Sequence, residues 1–126
     1  MLAGVLLSLL TLRAGLRLRS ARRRGVRADP AEYRRHLRLA RPTLALLLLG
    51  FASGPASAFW LRGWPLFETA HSYTSVAAMA LFCATGMLGR WLRKGERASS
   101  EAHALLGLLS VLAAALAFGT GFVLLP

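Results

Sequence analysis

Residues 102–125 read AHALLGLLSVLAAALAFGTGFVLL and contain no Asp, Glu, Lys or Arg. An apolar run of this length can cross a bilayer as a helix. At helical spacing, one face of the run consists of small residues with a histidine at its base. That face comprises His103, Gly107, Ser110, Ala114, Ala117 and Gly121. Such a face accommodates either a neighbouring helix or a flat ligand such as a porphyrin.

The composition of the whole chain agrees with this membrane interpretation. Of its 126 residues 56% are hydrophobic, and 16 basic residues stand against 5 acidic ones. A soluble domain of this size cannot hide so much apolar surface. A small integral membrane protein with one basic side combines both properties. The net charge of +11 is therefore a weak argument for nucleic-acid binding, which we do not expect.

Four membrane spans are predicted, and the arginines orient them. The spans are 1–18, 42–61, 69–89 and 102–125. Basic residues concentrate in the loop 19–41 and after the third span, so both regions are expected on the inner side. The fold class is therefore an all-α integral membrane four-helix bundle, 1–126 as a single domain. Its predicted topology is up-down-up-down, with both termini on the outer side.

The first span is the shortest of the four. Residues 1–12 are uncharged, which gives only about 18 Å of helix against a hydrocarbon core of roughly 30 Å. The segment spans the bilayer if Arg13 and Arg17 extend towards the inner surface. The alternative is a half-inserted anchor.

The loop 19–41 carries nine arginines, which would attract anionic lipid headgroups or an acidic partner, or simply fix the topology. Within it, Asp29 and Pro30 are suited to the N-cap and the first helical position. We therefore expect a helix to begin near Ala31 and to kink at Pro42.

The three histidines are the main candidates for chemistry, because ionisable residues near a membrane interior are costly. His36 and His103 are predicted on the inner side and His71 at the outer end of the third span. Two imidazoles from facing helices, one on each side of a haem iron, form a b-type site, with Arg38 and Arg41 available to the propionates. The alternative is that each histidine is an interfacial anchor or a helix-end residue with a satisfied hydrogen bond.

Two further features involve small or polar residues. If the second helix continues through Pro42, a small-residue face extends from His36 to Ser57. It includes Gly50 and Gly54, a GxxxG pair that we assign to helix packing together with Gly107 and Gly121. At the outer end, Glu68 stands three residues before His71. The two side chains could touch and orient the imidazole or serve a quinol headgroup, or remain a solvated surface pair.

The segments around the histidines resemble a bacterial membrane family. They are Arg35-His36-Leu37-Arg38-Leu39-Ala40-Arg41, Ala70-His71-Ser72-Tyr73-Thr74 and Ala102-His103-Ala104-Leu105-Leu106-Gly107. Over about residues 32–126 the chain resembles the domain-of-unknown-function family 4079, which occurs in cyanobacteria and other bacteria. That family is similar to four-helix b-type cytochromes, in which paired histidines on alternate helices hold two haems.

The resemblance implies one inner histidine pair, His36 and His103. It makes His71 half of an outer pair whose second member is missing from this chain, so that a partner subunit or a second copy would have to complete it. It also implies a multi-pass protein of the bacterial inner (cytoplasmic or intracytoplasmic) membrane.

The sequence thus leaves two functions open, neither of them clearly enzymatic. The first is a small membrane subunit that binds haem b and takes part in electron transfer. The second is a non-catalytic accessory or scaffold subunit of a larger respiratory or photosynthetic membrane complex. Its partners would be other membrane-protein subunits, beside the anionic lipid headgroups at the arginine-rich loop.

Overall fold

The chain folds into helices joined by short connections. A computed structural model describes residues 2–63, 65, 67–96 and 98–123. Within these ranges there are four helices: α1 (Leu2–Arg23), α2 (Pro30–Arg62), α3 (Ala70–Lys94) and α4 (Ser100–Val123).

Side-chain caps and glycines define the ends of α2 and α3. Asp29 is the N-cap of α2 and accepts a hydrogen bond of 2.8 Å from the amide of Ala31, which confirms the predicted start. Thr69 caps α3 in the same way. The residues after α2 and α3 are Gly63 and Gly95, with φ of 62° and 74°. Glycine adopts this left-handed conformation without steric cost, so both helices end there.

The arginine-rich segment 19–41 is mostly helical, although a helix was expected in it only from about Ala31. The first helix continues to Arg23 and the second begins at Pro30, so only 24–29 lies outside a helix. Arginine is a good helix former, which favours this extension. The second helix continues without interruption through Pro42 and Pro55.

The four helices form a ring in which each packs on two neighbours. Helix α1 contacts α2 and α4, and α3 contacts the same two helices, with no close backbone approach between α2 and α4 among the described residues. The apolar core at the centre is small. It comprises Leu47, Phe51, Ala78, Phe82, Val111 and Ala114.

Three of the helices are long and apolar enough to cross a membrane: α2, α3 and α4. Helix α1 is not among them, and its apolar run is interrupted by Arg13, Arg17 and Arg19. Large apolar side chains cover the outside of the bundle, as shown by Leu61, which is 82% exposed. Such an exterior suits a lipid environment, and the three helices indicate a multi-pass membrane protein.

The inward face of α2 differs from the predicted one beyond Leu47. The buried residues are Thr43, Leu47 and Phe51, so the face continues four residues further on to Phe51. Gly50 and Gly54 are exposed instead. Burying a phenylalanine removes far more apolar surface than burying two glycines, which decides the rotation of the helix.

Candidate functional site

A cavity of about 720 Å³ lies at the arginine-rich end of the bundle and is lined by residues from all four helices. This volume is within the range of roughly 300–1,000 Å³ that is typical of small-molecule sites. Its apolar wall includes Leu44, Phe82 and Val111. The cavity is therefore built between helices, as ligand sites in helical bundles commonly are.

His36 and His103 both line this cavity, and their rings lie close together. Their ring centres are 6.2 Å apart and their planes are nearly perpendicular, at 88°. They stand on α2 and α4, the two helices that do not approach each other directly within the described residues. The structure therefore brings together the two histidines that the sequence singled out as a pair.

The Nδ1 atom of each imidazole points at a main-chain carbonyl of a neighbouring helix. His36 Nδ1 lies 3.2 Å from the oxygen of Thr11, and His103 Nδ1 lies 3.1 Å from the oxygen of Thr85. A carbonyl oxygen only accepts, so Nδ1 must carry the proton and donate. Nε2 of each neutral ring then keeps a lone pair. Neither Nε2 has a hydrogen-bond partner among the described residues.

Glycines on the neighbouring helices make room for the two rings. A Cβ atom added at Gly15 would lie 3.3 Å from Cε1 of His36, and one added at Gly89 would lie 3.1 Å from Cε1 of His103. Both distances are shorter than ordinary van der Waals contact. The sequence analysis did not single out either glycine. The position of a glycine in the sequence does not show which histidine of another helix it contacts.

A second contact accompanies each histidine, seven residues further along its helix. Thr43 Oγ1 lies 3.1 Å from Thr11 Oγ1, and Ser110 Oγ lies 3.0 Å from Thr85 Oγ1. In each case one threonine makes both contacts. Thr11 contacts His36 through its carbonyl oxygen and Thr43 through its hydroxyl group. Thr85 contacts His103 and Ser110 in the same two ways. The pairs α1–α2 and α3–α4 therefore hold their histidines by the same set of contacts. The sequence shows no fixed-period repeat, because Thr11 and His36 are 25 residues apart whereas Thr85 and His103 are 18 residues apart.

Five arginines line the cavity, and they only partly match the predicted propionate partners. Arg41 lines it as expected, whereas Arg38 lies in a separate surface depression with Arg34 and Arg35. The other four lining arginines were not singled out: Arg19, Arg22, Arg90 and Arg93. They come from α1 and α3, so only the packing of the helices reveals them.

Salt bridges join the helix ends beside this cavity. Arg19 Nε donates to Glu101 Oε2 at 2.9 Å, and Arg23 Nη2 donates to the same oxygen at 3.0 Å. Arg17 Nη1 donates to Glu32 at 3.0 Å. These contacts hold the end of α1 against the starts of α4 and α2.

His71 lies apart from the pair, near the other end of α4. Its Nδ1 donates to the carbonyl of Ala117 at 2.8 Å, and its Nε2 lies 3.5 Å from Ser75 Oγ. From Ala117 back to His103 is about 21 Å along the helix, so the three histidines cannot share one metal ion.

Of the two alternatives for Glu68 and His71, a contact or a solvated surface pair, the contact is absent among the described residues. Thr69 is the N-cap of α3, so Glu68 precedes the helix and the spacing of three residues does not align the two side chains. His71 is oriented by a main-chain carbonyl instead.

The four glycines assigned to helix packing divide into two groups. A Cβ at Gly50 or Gly54 would meet nothing within 4 Å in the described structure, so this GxxxG pair packs on no helix of the same chain. At Gly107 it would lie 3.8 Å from Thr85 Cγ2, and at Gly121 only 2.8 Å from Cε1 of His71. These two glycines do lie against α3.

The spacing of the two imidazoles can be compared with that of two ligands of one metal ion. The described residues contain no group of three or more His, Cys, Asp or Glu side chains that could hold a metal ion. Two imidazoles on opposite sides of one metal, each bonded at about 2 Å, place their ring centres about 6 Å apart. The observed separation of 6.2 Å agrees with that arrangement.

Comparisons with protein-family models, with curated proteins and with solved structures return no match to this chain.

Proposed function

We propose that the protein is a small membrane subunit that binds one b-type haem between His36 and His103 and takes part in electron transfer. One observation carries the proposal. The two imidazoles line one cavity with their ring centres 6.2 Å apart, and each donates its Nδ1–H to a carbonyl, which leaves Nε2 for a metal. Histidines that ligate metals usually donate their other ring N–H in this way.

The residues of the cavity suit the remaining parts of a haem. When bound, haem supplies one-electron redox chemistry at its iron. The apolar side chains of Leu44, Phe82 and Val111 would contact the macrocycle and keep water from it. The lining arginines would neutralise the two carboxylates, for which guanidinium groups are well suited.

The topology that we propose has all four helices crossing the membrane, alternately up and down, with both termini outside. The contacts between α1 and α2 support antiparallel neighbours. Thr11 contacts Thr43, and the later residue Arg17 of α1 contacts the earlier residue Glu32 of α2. Arginines crowd the opposite end from the termini, which the positive-inside rule places in the cytoplasm. The bacterial inner membrane and the relationship to family 4079 remain predictions from the sequence.

A second candidate function is a non-catalytic accessory subunit of a larger membrane complex. The exposed GxxxG pair on α2, Gly50 and Gly54, favours it, because close-packing residues with open space before them suit a helix of another subunit. Both functions are compatible with membership of a complex, and they differ in whether haem is bound.

An absorption spectrum of the protein purified from haem-supplied cells separates the two. We expect a haem Soret band, with about one haem per chain, and a sharpened visible band after reduction with dithionite. A folded, helical protein without a Soret band would refute the haem proposal and leave the accessory function.

A further inference from the structure

All three histidines of the chain donate to a main-chain carbonyl that lies four residues before a glycine. The acceptors are Thr11, Thr85 and Ala117, and the glycines are Gly15, Gly89 and Gly121. In an α-helix a carbonyl accepts its regular hydrogen bond from the amide four residues later. The glycine is therefore the residue whose amide already bonds the carbonyl that the histidine uses.

A side chain at the glycine position would cover that carbonyl. Side chains in a helix lean towards its N-terminus and lie over the preceding turn. Without one, the second lone pair of the carbonyl stays accessible to a donor from a neighbouring helix. The distances agree, since an added Cβ would lie 3.3 Å, 3.1 Å and 2.8 Å from the Cε1 atoms of His36, His103 and His71.

We infer that Gly15 and Gly89 are positioning residues of the haem site, an assignment that rests on the proposed function. Each glycine opens the carbonyl of Thr11 or Thr85 to a histidine Nδ1–H and admits the edge of the imidazole ring. The ring is thereby held as the Nδ1–H tautomer, with the lone pair of Nε2 left for iron. Partners that orient metal-ligating histidines typically change metal affinity by about 10- to 100-fold.

The chain contains matched controls for this inference. Gly50 and Gly54 lie in a helix with nothing within 4 Å of an added Cβ, so alanine there adds a methyl group without touching a histidine. At Gly121 the methyl group would meet His71, which is outside the pair. Gly121→Ala therefore introduces the same kind of clash without disturbing the proposed ligands.

The first experiment does not require haem. Nitrogen NMR of ¹⁵N-histidine-labelled, haem-free protein in detergent reports which ring nitrogen carries the proton. All three histidines should be Nδ1–H tautomers in the wild type. Gly15→Ala should alter the signals of His36, Gly89→Ala those of His103 and Gly121→Ala those of His71. Unchanged tautomers in these variants, or equal changes in Gly54→Ala, would overturn the inference.

The second experiment measures haem. Gly15→Ala and Gly89→Ala should each weaken haem binding by about 10- to 100-fold or convert low-spin iron to high-spin, whereas Gly121→Ala and Gly54→Ala should keep the wild-type spectrum. Equal haem loss in Gly121→Ala would show a general packing effect and overturn the inference. If the wild type binds no haem, the proposed function and the haem role of the glycines are both refuted. Whether the glycines control the histidine tautomers is still decided by the NMR experiment. Three separate glycines are replaced, so failure of one variant to fold leaves the others to decide.

Discussion

Thr85 makes two different contacts with α4: its carbonyl oxygen lies 3.1 Å from Nδ1 of His103, and its hydroxyl lies 3.0 Å from that of Ser110. Thr11 makes the corresponding contacts with His36 and Thr43 on α2. The two histidines are therefore fixed by equivalent helix pairs, and they meet across the diagonal of the bundle. Both imidazoles line the same cavity, and Nε2 of each has no hydrogen-bond partner among the described residues.

The arginines that line the cavity should contribute to haem retention, and Arg38 should not. Arg90→Gln and Arg41→Gln are each expected to weaken haem binding by about two- to fivefold, because exposed ion pairs are worth up to about 1 kcal/mol. Arg38→Gln removes the same charge from a separate depression and is the matched control. Transfer of haem to an excess of apomyoglobin measures the difference. Equal loss in all three variants would indicate a general charge effect.

The hydroxyl pair of Thr85 and Ser110 should stabilise the packing of α3 on α4. A double-mutant cycle with Thr85→Val and Ser110→Ala is expected to give a coupling free energy of about 0.6 kcal/mol, the average for hydrogen bonds between membrane helices. Denaturation in mixed detergent micelles provides the unfolding free energies.

A cycle between Thr85 and Thr43, which share no hydrogen bond in the structure, serves as the control and should be additive. Coupling of similar size in both cycles would show that the effect does not come from the hydroxyl contact.

The number of spans can be decided by labelling single cysteines in intact cells, after replacement of the native Cys83 by serine. With four spans, Ala3→Cys and Val123→Cys should both react with a membrane-impermeant thiol reagent, and Arg24→Cys should react only after the membrane is opened. Protection of Ala3→Cys together with reaction of Val123→Cys would mean that α1 does not cross.

Local signals in the sequence predicted the beginnings of helices and the histidine pair. Asp29 before Pro30 predicted the start of α2 correctly, because an N-cap acts on residues next to it in the chain. Proximity of His36 to His103 followed from placing both histidines near the same end of their helices. Such inferences need only the direction and length of each helix.

Features that depend on the rotation of helices were predicted less well. Gly50 and Gly54 were assigned to helix packing, and the burial of Phe51 turns them away from the other described helices of this chain. Gly15 and Gly89 were missed, since their role depends on which histidine of another helix faces them. Arg38 and Arg41 are three residues apart, yet only Arg41 lines the cavity. Two side chains three residues apart on a helix do not point in the same direction.

Electron paramagnetic resonance of the oxidised protein tests the central claim most directly, because it distinguishes iron with two imidazole ligands from iron with one. The wild type and His71→Ala should show a low-spin signal with about one haem per chain. His36→Ala and His103→Ala should each lose that signal, through haem loss or conversion to high-spin iron. A low-spin signal of wild-type intensity in either His36→Ala or His103→Ala would contradict the proposed pair of ligands.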